Sequence, residues 1–234
     1  MYVETMTTKE KIREFKKALD KVNEVSDRIM KRYVDKSRNL KKLKMDERFD
    51  FGIHKLIINN TVYYYHLSAT RVSNLYQSKK IVNLSYMINL YTIQTHRDSP
   101  NKYIIMFKPN TTKENNTNDV ITEIETHVID RYKERFLNDL TVSFDDAVQI
   151  YMKDNYIGVV CDLINNEVVK ITSDGVNLGI RIDEDIIKLK TFITESQLRK
   201  DQMLWSKYGE IWSDHVESLK YRIEHPYRYS ELIC

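Results

Sequence analysis

The chain has 234 residues, 41% of them hydrophobic and 30% charged, with only five glycines and three prolines. That length buries a real core in one large domain or two small ones, and the composition excludes collagen-like and Pro/Gly-rich disordered classes. The net charge is only +3, but residues 1–48 hold fifteen Lys/Arg against nine Asp/Glu, so the basic character sits at the N-terminal end. Two cysteines, Cys161 in an apolar run and Cys234, cannot make a disulfide framework or a four-ligand zinc site, and a reducing compartment suits them. Residues 1–5 lack a basic flank followed by an apolar segment, and no apolar run is long enough to cross a bilayer, so neither export nor membrane insertion is expected.

Thr7 and Glu10 form a capping-box pair, after which Ile12, Phe15, Leu19, Val22, Val25, Ile29 and Tyr33 recur at three- and four-residue steps. This predicts an amphipathic helix of roughly 25 residues. Its seam would pack on the body of the protein or on a second copy. Lys9, Arg13, Lys16 and Lys17 lie on the wet face, and Lys41 and Lys42 follow in a connector. A solvated helix with mixed charges is the plain reading of this basic end, and attraction to nucleic acid or to an acidic protein partner is the sharper one. Phe51 to Ile58 and Thr61 to Leu67, separated by Asn59-Asn60, predict a hairpin. Ile81, Leu84, Met87, Ile88 and Tyr91 suit a helix, with a strand as the alternative. Tyr103 to Phe107 is an apolar run expected to be a buried strand.

Residues 109–120 are the most polar stretch and are read as a linker between a tyrosine-rich α+β region (49–108) and a second domain (121–205). Thr122 with Glu125 is expected to start one helix of that domain, and Ser143 with Asp146 a second. Tyr156 to Asp162, Glu167 to Thr172, Asn177 to Ile182 and Ile186 to Thr194 are four candidate strands, with Asn165-Asn166 and Asp174-Gly175 as turn signals. Two helices followed by an antiparallel meander is an α+β pattern. Residues 206–234 form an aromatic tail expected to pack.

No Gly-x-x-x-x-Gly-Lys, Gly-x-Gly-x-x-Gly, His-Glu-x-x-His or Gly-x-Ser-x-Gly pattern occurs. An NTPase or Rossmann enzyme is therefore not expected, and neither a metal nor a cofactor is implied. Asp183-Glu184-Asp185 reads as a polar loop. Helical spacing stacks His127, Arg131 and Arg135 in one ribbon. A solvated, salt-bridged face is the commoner origin of such spacing. The sharper reading is metal-free acid–base work on a polyanion, since RNA cleavage needs only a base for the 2′-hydroxyl, an acid for the leaving 5′-oxygen and cations for the phosphate.

The segment Glu125 to Gln202 resembles the small RNase-toxin superfamily that groups barnase, EndoU, colicin D and RelE-like domains, including versions carried by phages. Three features carry the likeness: the His-x-x-x-Arg-x-x-x-Arg-Phe helix from His127, the second helix after Ser143-Phe144-Asp145-Asp146, and the last strand Leu189-Lys190-Thr191-Phe192-Ile193-Thr194. The resemblance implies His127 as acid or base, Arg131 and Arg135 as phosphate ligands, and Thr191 or Thr194 as a positioning hydroxyl. Three residues apart on a strand, the two threonines should face opposite sides. The segment has no second histidine, so Lys190, Tyr132 or one of His66, His96, His215 and His225 completes the pair, unless one base and electrostatics suffice. The abundance of Asn, Lys, Ile and Tyr also suits an AT-rich phage genome, and hence a host cytoplasm or a virion. The expectation is a metal-independent ribonuclease with RNA as partner. The alternatives are a non-catalytic phage protein of the same fold, serving in binding, inhibition or virion structure, and an assembly protein that oligomerises through its N-terminal helix.

Overall fold

The computed structural model describes residues 5–36, 48–76, 79–109 and 119–224, so Lys41, Lys42 and His225 lie outside it. Its strands are β1 (Arg48–Ile58), β2 (Thr61–Tyr76), β3 (Lys79–Thr95), β4 (Lys102–Lys108), β5 (Val120–Glu125), β6 (Val159–Asp162), β7 (Glu167–Ile171), β8 (Gly175–Asp183) and β9 (Ile186–Thr194). All nine lie in one sheet of order β1-β2-β3-β4-β5-β9-β8-β7-β6. Every neighbouring pair is antiparallel except β5 with β9, whose ladder runs in parallel from Ile121↔Ile186 to Ile124↔Leu189. The polar segment 109–120 therefore joins β4 to β5, adjacent strands of a continuous sheet, and the hydrogen-bonded framework runs across it.

Helices cover both faces. The first, α1 (Thr8–Lys36), buries Phe15, Ala18 and Val22 against Tyr63, Tyr65, Leu90, Ile105 and Phe107. Phe15, Ala18 and Val22 of the seam thus pack on the body of the protein. Thr7 and Glu10 make the expected cap, with the Thr7 N–H donating to Glu10 Oε2 at 2.9 Å and the Glu10 N–H to Thr7 Oγ1 at 3.4 Å. Lys11, nearly buried, pairs with Glu123 of β5 at 2.7 Å and ties the helix to the sheet. On the opposite face, α2 (Thr126–Tyr132) and α3 (Phe144–Asn155) pack Val128, Tyr132, Val148 and Tyr151 against Ile104, Ile124, Leu189 and Phe192. Strand alternation makes this possible, because Tyr103, Ile105 and Phe107 of β4 serve one core while Ile104 and Met106 serve the other. Finally α4 (Glu195–Lys200), α5 (Gln202–Leu204) and α6 (Glu210–Glu224) return to the α1 side and bury Leu198, Trp212, Val216 and Leu219 on Val169, Ile171 and Ile193.

Two expected helical stretches are strands. Residues 79–95 form β3, because apolar residues fall at adjacent positions, as in Tyr86-Met87-Ile88 and Leu90-Tyr91, and a strand with helices on both faces buries side chains on each. Thr122 and Glu125 lie in β5, so α2 begins at Thr126. The β-branched Val120, Ile121, Thr122 and Ile124 fit a ladder with partners on each side better than a helix start.

At Gly179 the β8–β9 ladder is bulged, Leu178 pairing with Thr191 and Gly179 with Leu189. A Cβ there would lie 2.2 Å from the Lys188 carbonyl oxygen, a backbone atom that cannot rotate away. Gly179→Ala is expected to lower stability by about 3 kcal/mol, read as a lower urea midpoint with an unchanged m-value.

Candidate functional site

After α2 the chain widens into a π-helical turn over Lys133–Leu137 and stops at Asn138, whose φ of 52° is left-handed. This matters for the ribbon. The wider turn carries Arg135 out of the line that strict four-residue spacing sets for His127 and Arg131. His127 is exposed, and Arg131 Nε donates to its Nε2 at 3.2 Å. In that bond Nε2 is the acceptor, so the neutral ring carries its proton on Nδ1. Arg131 also pairs with Glu134, and this bond, offset in part by desolvation, holds the exposed Glu134 carboxyl below its usual range.

Arg135 behaves differently. The β5 ladder on β9 ends at Leu189, so residues 190–194 have no strand on that side. Arg135 donates to the Phe192 carbonyl oxygen there at 2.6 Å and covers the open edge. Burial, and then the neighbouring charge of Arg131, lower its pKa from the ordinary guanidinium value. From that position Arg135 separates two hollows. The larger, of about 750 Å³, is bordered by Arg135, Thr191, Gln197, Lys200 and Gln202. Asp201 also borders it, but its carboxylate accepts from the N–H groups of Met203 and Leu204 and caps α5. The smaller, of about 370 Å³, is bordered by Arg135, Phe136, Asp174, Thr194, Glu195 and Arg199.

Arg135 thus meets Thr191 in one hollow and Thr194 in the other, and His127 borders neither. The threonines face opposite sides of the sheet. Thr194 is buried, and its hydroxyl accepts from the Gln197 N–H at 3.3 Å in a capping box that starts α4. Its hydroxyl is committed to that cap, which leaves Thr191 as the hydroxyl of the larger hollow. Among the suggested partners for His127, Tyr132 is fully buried, and its hydroxyl donates to Asp174 at 2.9 Å. Burial first and Asp174 second push the Tyr132 pKa far up, which removes it as an acid near neutrality. Lys190 is exposed at the bulge of β9.

On α1, Lys9, Arg13, Lys16 and Lys17 are exposed as expected. Lys16 pairs with Asp119 at 2.6 Å and Lys17 with Glu14 at 2.7 Å, which reduces what they offer to a phosphate chain.

Sequence reading missed two polar assemblies. Asp174, in the turn between β7 and β8, accepts from the Tyr132 hydroxyl, from Asn155 Nδ2 at 2.6 Å and from the Ser173 hydroxyl at 3.0 Å. It fastens α2, α3 and the sheet behind the smaller hollow. The Asp174-Gly175 pair signalled the turn but carried no sign of these partners. The second is centred on His66, buried on β2, whose Nε2 lies 2.7 Å from Asp50 Oδ1. Asp50 also takes Lys153 of α3 at 2.9 Å and the Gly52 N–H at 2.7 Å. Partial burial raises the Asp50 pKa, but Lys153, Gly52 and His66 outweigh it and hold the carboxyl far below the usual range. This cluster clamps β1, β2 and α3, a structural use of the histidine.

Among the described residues no group of three or more His, Cys, Asp and Glu side chains is placed to hold a metal ion, and no helix is long and apolar enough to cross a membrane. Comparison of the chain with family models, with curated proteins and with solved structures finds no significant match.

Proposed function

We propose that the protein is a ribonuclease-like RNA-binding protein that cleaves RNA without a metal, with the strand running along α2 and into the larger hollow. The observation that carries this reading is the exposed His127 imidazole held by Arg131, on the helix whose continuation brings Arg135 to the hollow. Arg135 and Lys200 form no ion pair among the described residues, and Thr191, Gln197 and Gln202 add hydroxyl and amide donors. Such a hollow favours a phosphodiester anion. A phosphate that draws Arg131 away from the ring frees His127 Nε2 to take the ribose 2′-hydroxyl proton. The 2′-oxygen then attacks phosphorus, the bond to the 5′-oxygen breaks, that oxygen departs as a hydroxyl with a proton returned by the protonated His127 or by water, and a cyclic phosphate remains, with the guanidinium groups balancing the added charge.

A second reading is a non-catalytic phage protein of the same fold that binds RNA or a protein in an inhibitory or virion role. It is favoured by Glu134, which already neutralises Arg131. RNA incubated with purified protein in EDTA separates the two. Wild type should yield cyclic phosphate ends, and His127→Ala should slow cleavage by about a hundredfold or more. Intact RNA with both proteins, across a range of pH and sequence, leaves the binding reading in place of the enzymatic one.

A further inference from the structure

The smaller hollow has a composition that a phosphate site does not need. Phe136 forms one of its walls. The ring lies parallel to Tyr132, with centroids 4.9 Å apart and planes 14° from parallel, and it is still 44% exposed. A large apolar ring half in water beside a cleft is a stacking surface with one side already backed by a buried aromatic. Two carboxylates, Asp174 and Glu195, also line the hollow. Asp174 Oδ2 is occupied by Tyr132 and Asn155, but among the described residues Oδ1 takes only Ser173 and keeps a lone pair. Glu195 gives Oε1 to Arg199 at 2.9 Å. Arg199 is held in turn against the rings of Trp205 and Trp212, which fixes that side of the hollow. At about 370 Å³ the space is at the small end of ligand sites.

We propose that this hollow seats one unpaired nucleobase bearing an exocyclic amino group, stacked on Phe136, while the adjoining phosphate lies across Arg135 in the larger hollow. The inference rests on the RNA reading above and adds the base contact to it. Single-stranded RNA is held by stacking splayed bases on aromatic side chains, with their edges hydrogen-bonded to the protein. The carboxylates lining the hollow accept and do not donate, so an amino group meets them favourably. Uracil offers a single N3–H flanked by two carbonyl oxygens, which the carboxylates repel, so it meets them less favourably than an amino group does.

The test is anisotropy of labelled 2′-O-methyl RNA hexamers, which lack the 2′-hydroxyl that cleavage needs, at low salt, with the full chain and its Phe136→Ala, Phe136→Trp and Lys200→Ala variants, and with a hexamer of abasic 2′-O-methyl ribose phosphates. Oligo(C) should bind wild type about tenfold more tightly than oligo(U), because a hydrogen bond to a charged group separates them. Phe136→Ala should weaken oligo(C) about 5- to 150-fold, with Phe136→Trp keeping the affinity. Wild type should lose a similar factor on the abasic hexamer, a comparison that needs no variant to fold. If wild type binds RNA and Lys200→Ala weakens it, but abasic and base-bearing hexamers bind alike, the base seat is overturned and the RNA reading stands. Equal binding of oligo(C) and oligo(U) overturns the amino-group assignment. No binding of any hexamer overturns both readings together.

Discussion

Tyr132→Ala is expected to destabilise the protein by about 4 kcal/mol, near the top of the range for single substitutions. The side chain has no solvent exposure. Its ring meets Tyr151 and Phe192 edge-on at 5.1 and 5.2 Å and stacks on Phe136, so truncation leaves a cavity bounded by α2, α3 and β9, whose backbones cannot collapse into it. The hydroxyl adds a separate contribution. Tyr132→Phe keeps the packing and removes one donor from Asp174, at an expected cost of about 1 kcal/mol. Urea unfolding of the two variants separates ring from hydroxyl. A Tyr132→Ala midpoint close to that of Tyr132→Phe would show that the aromatic cluster does not hold these elements together.

The second large effect concerns pH. Lys170 of β7 is buried, and its ammonium donates to the carbonyl oxygens of Asn155 at 2.9 Å and Tyr156 at 3.2 Å, at the C-terminal end of α3. No carboxylate pairs with it among the described residues. Burial, assisted by the charge of Lys108, pushes its pKa down to about 7. In the unfolded chain the same group titrates near 10.4. Between these values the unfolded chain holds a proton that the folded chain has released, so stability rises with pH from about 7 toward 10. Below about 7 both states are protonated and the penalty is constant. Above about 10 the buried tyrosines Tyr132, Tyr151 and Tyr156, whose pKa values are raised chiefly by burial, work in the opposite direction, because only their unfolded forms ionise. The expected rise from this lysine alone is on the order of 4 kcal/mol across the window. Lys170→Met should flatten it, although it also leaves two carbonyls without their donor, so the slope is the diagnostic quantity. Equal slopes for wild type and Lys170→Met would mean that the lysine stays charged in the fold, held by the helix-end carbonyls.

Features governed by near neighbours were legible in the sequence. The Thr7–Glu10 cap, the Ser143 cap of α3 and the four strands between residues 156 and 194 follow from contacts within a few residues or from a two-residue period. The same holds for Asn59-Asn60 and Asn165-Asn166, which all take positive φ as tight turns require. The α+β class was equally accessible. Periodicity could not decide elements whose surroundings bury them on both faces, and so β3 and the start of α2 were open to misreading.

The candidate site divides along the same line. Helical spacing by itself determined that His127 and Arg131 touch, since residues four apart on a helix are neighbours whatever the rest of the chain does. Only the tertiary structure decided the place of Arg135, because its partner is the Phe192 carbonyl, left open where the parallel β5–β9 ladder ends. It also decided that Thr194 caps a helix while Thr191 borders a hollow, and that Asp174 gathers Tyr132 and Asn155. Those contacts join residues brought together by strand order, and strand order is set by which faces must be buried, a property of the whole sheet that no local pattern carries.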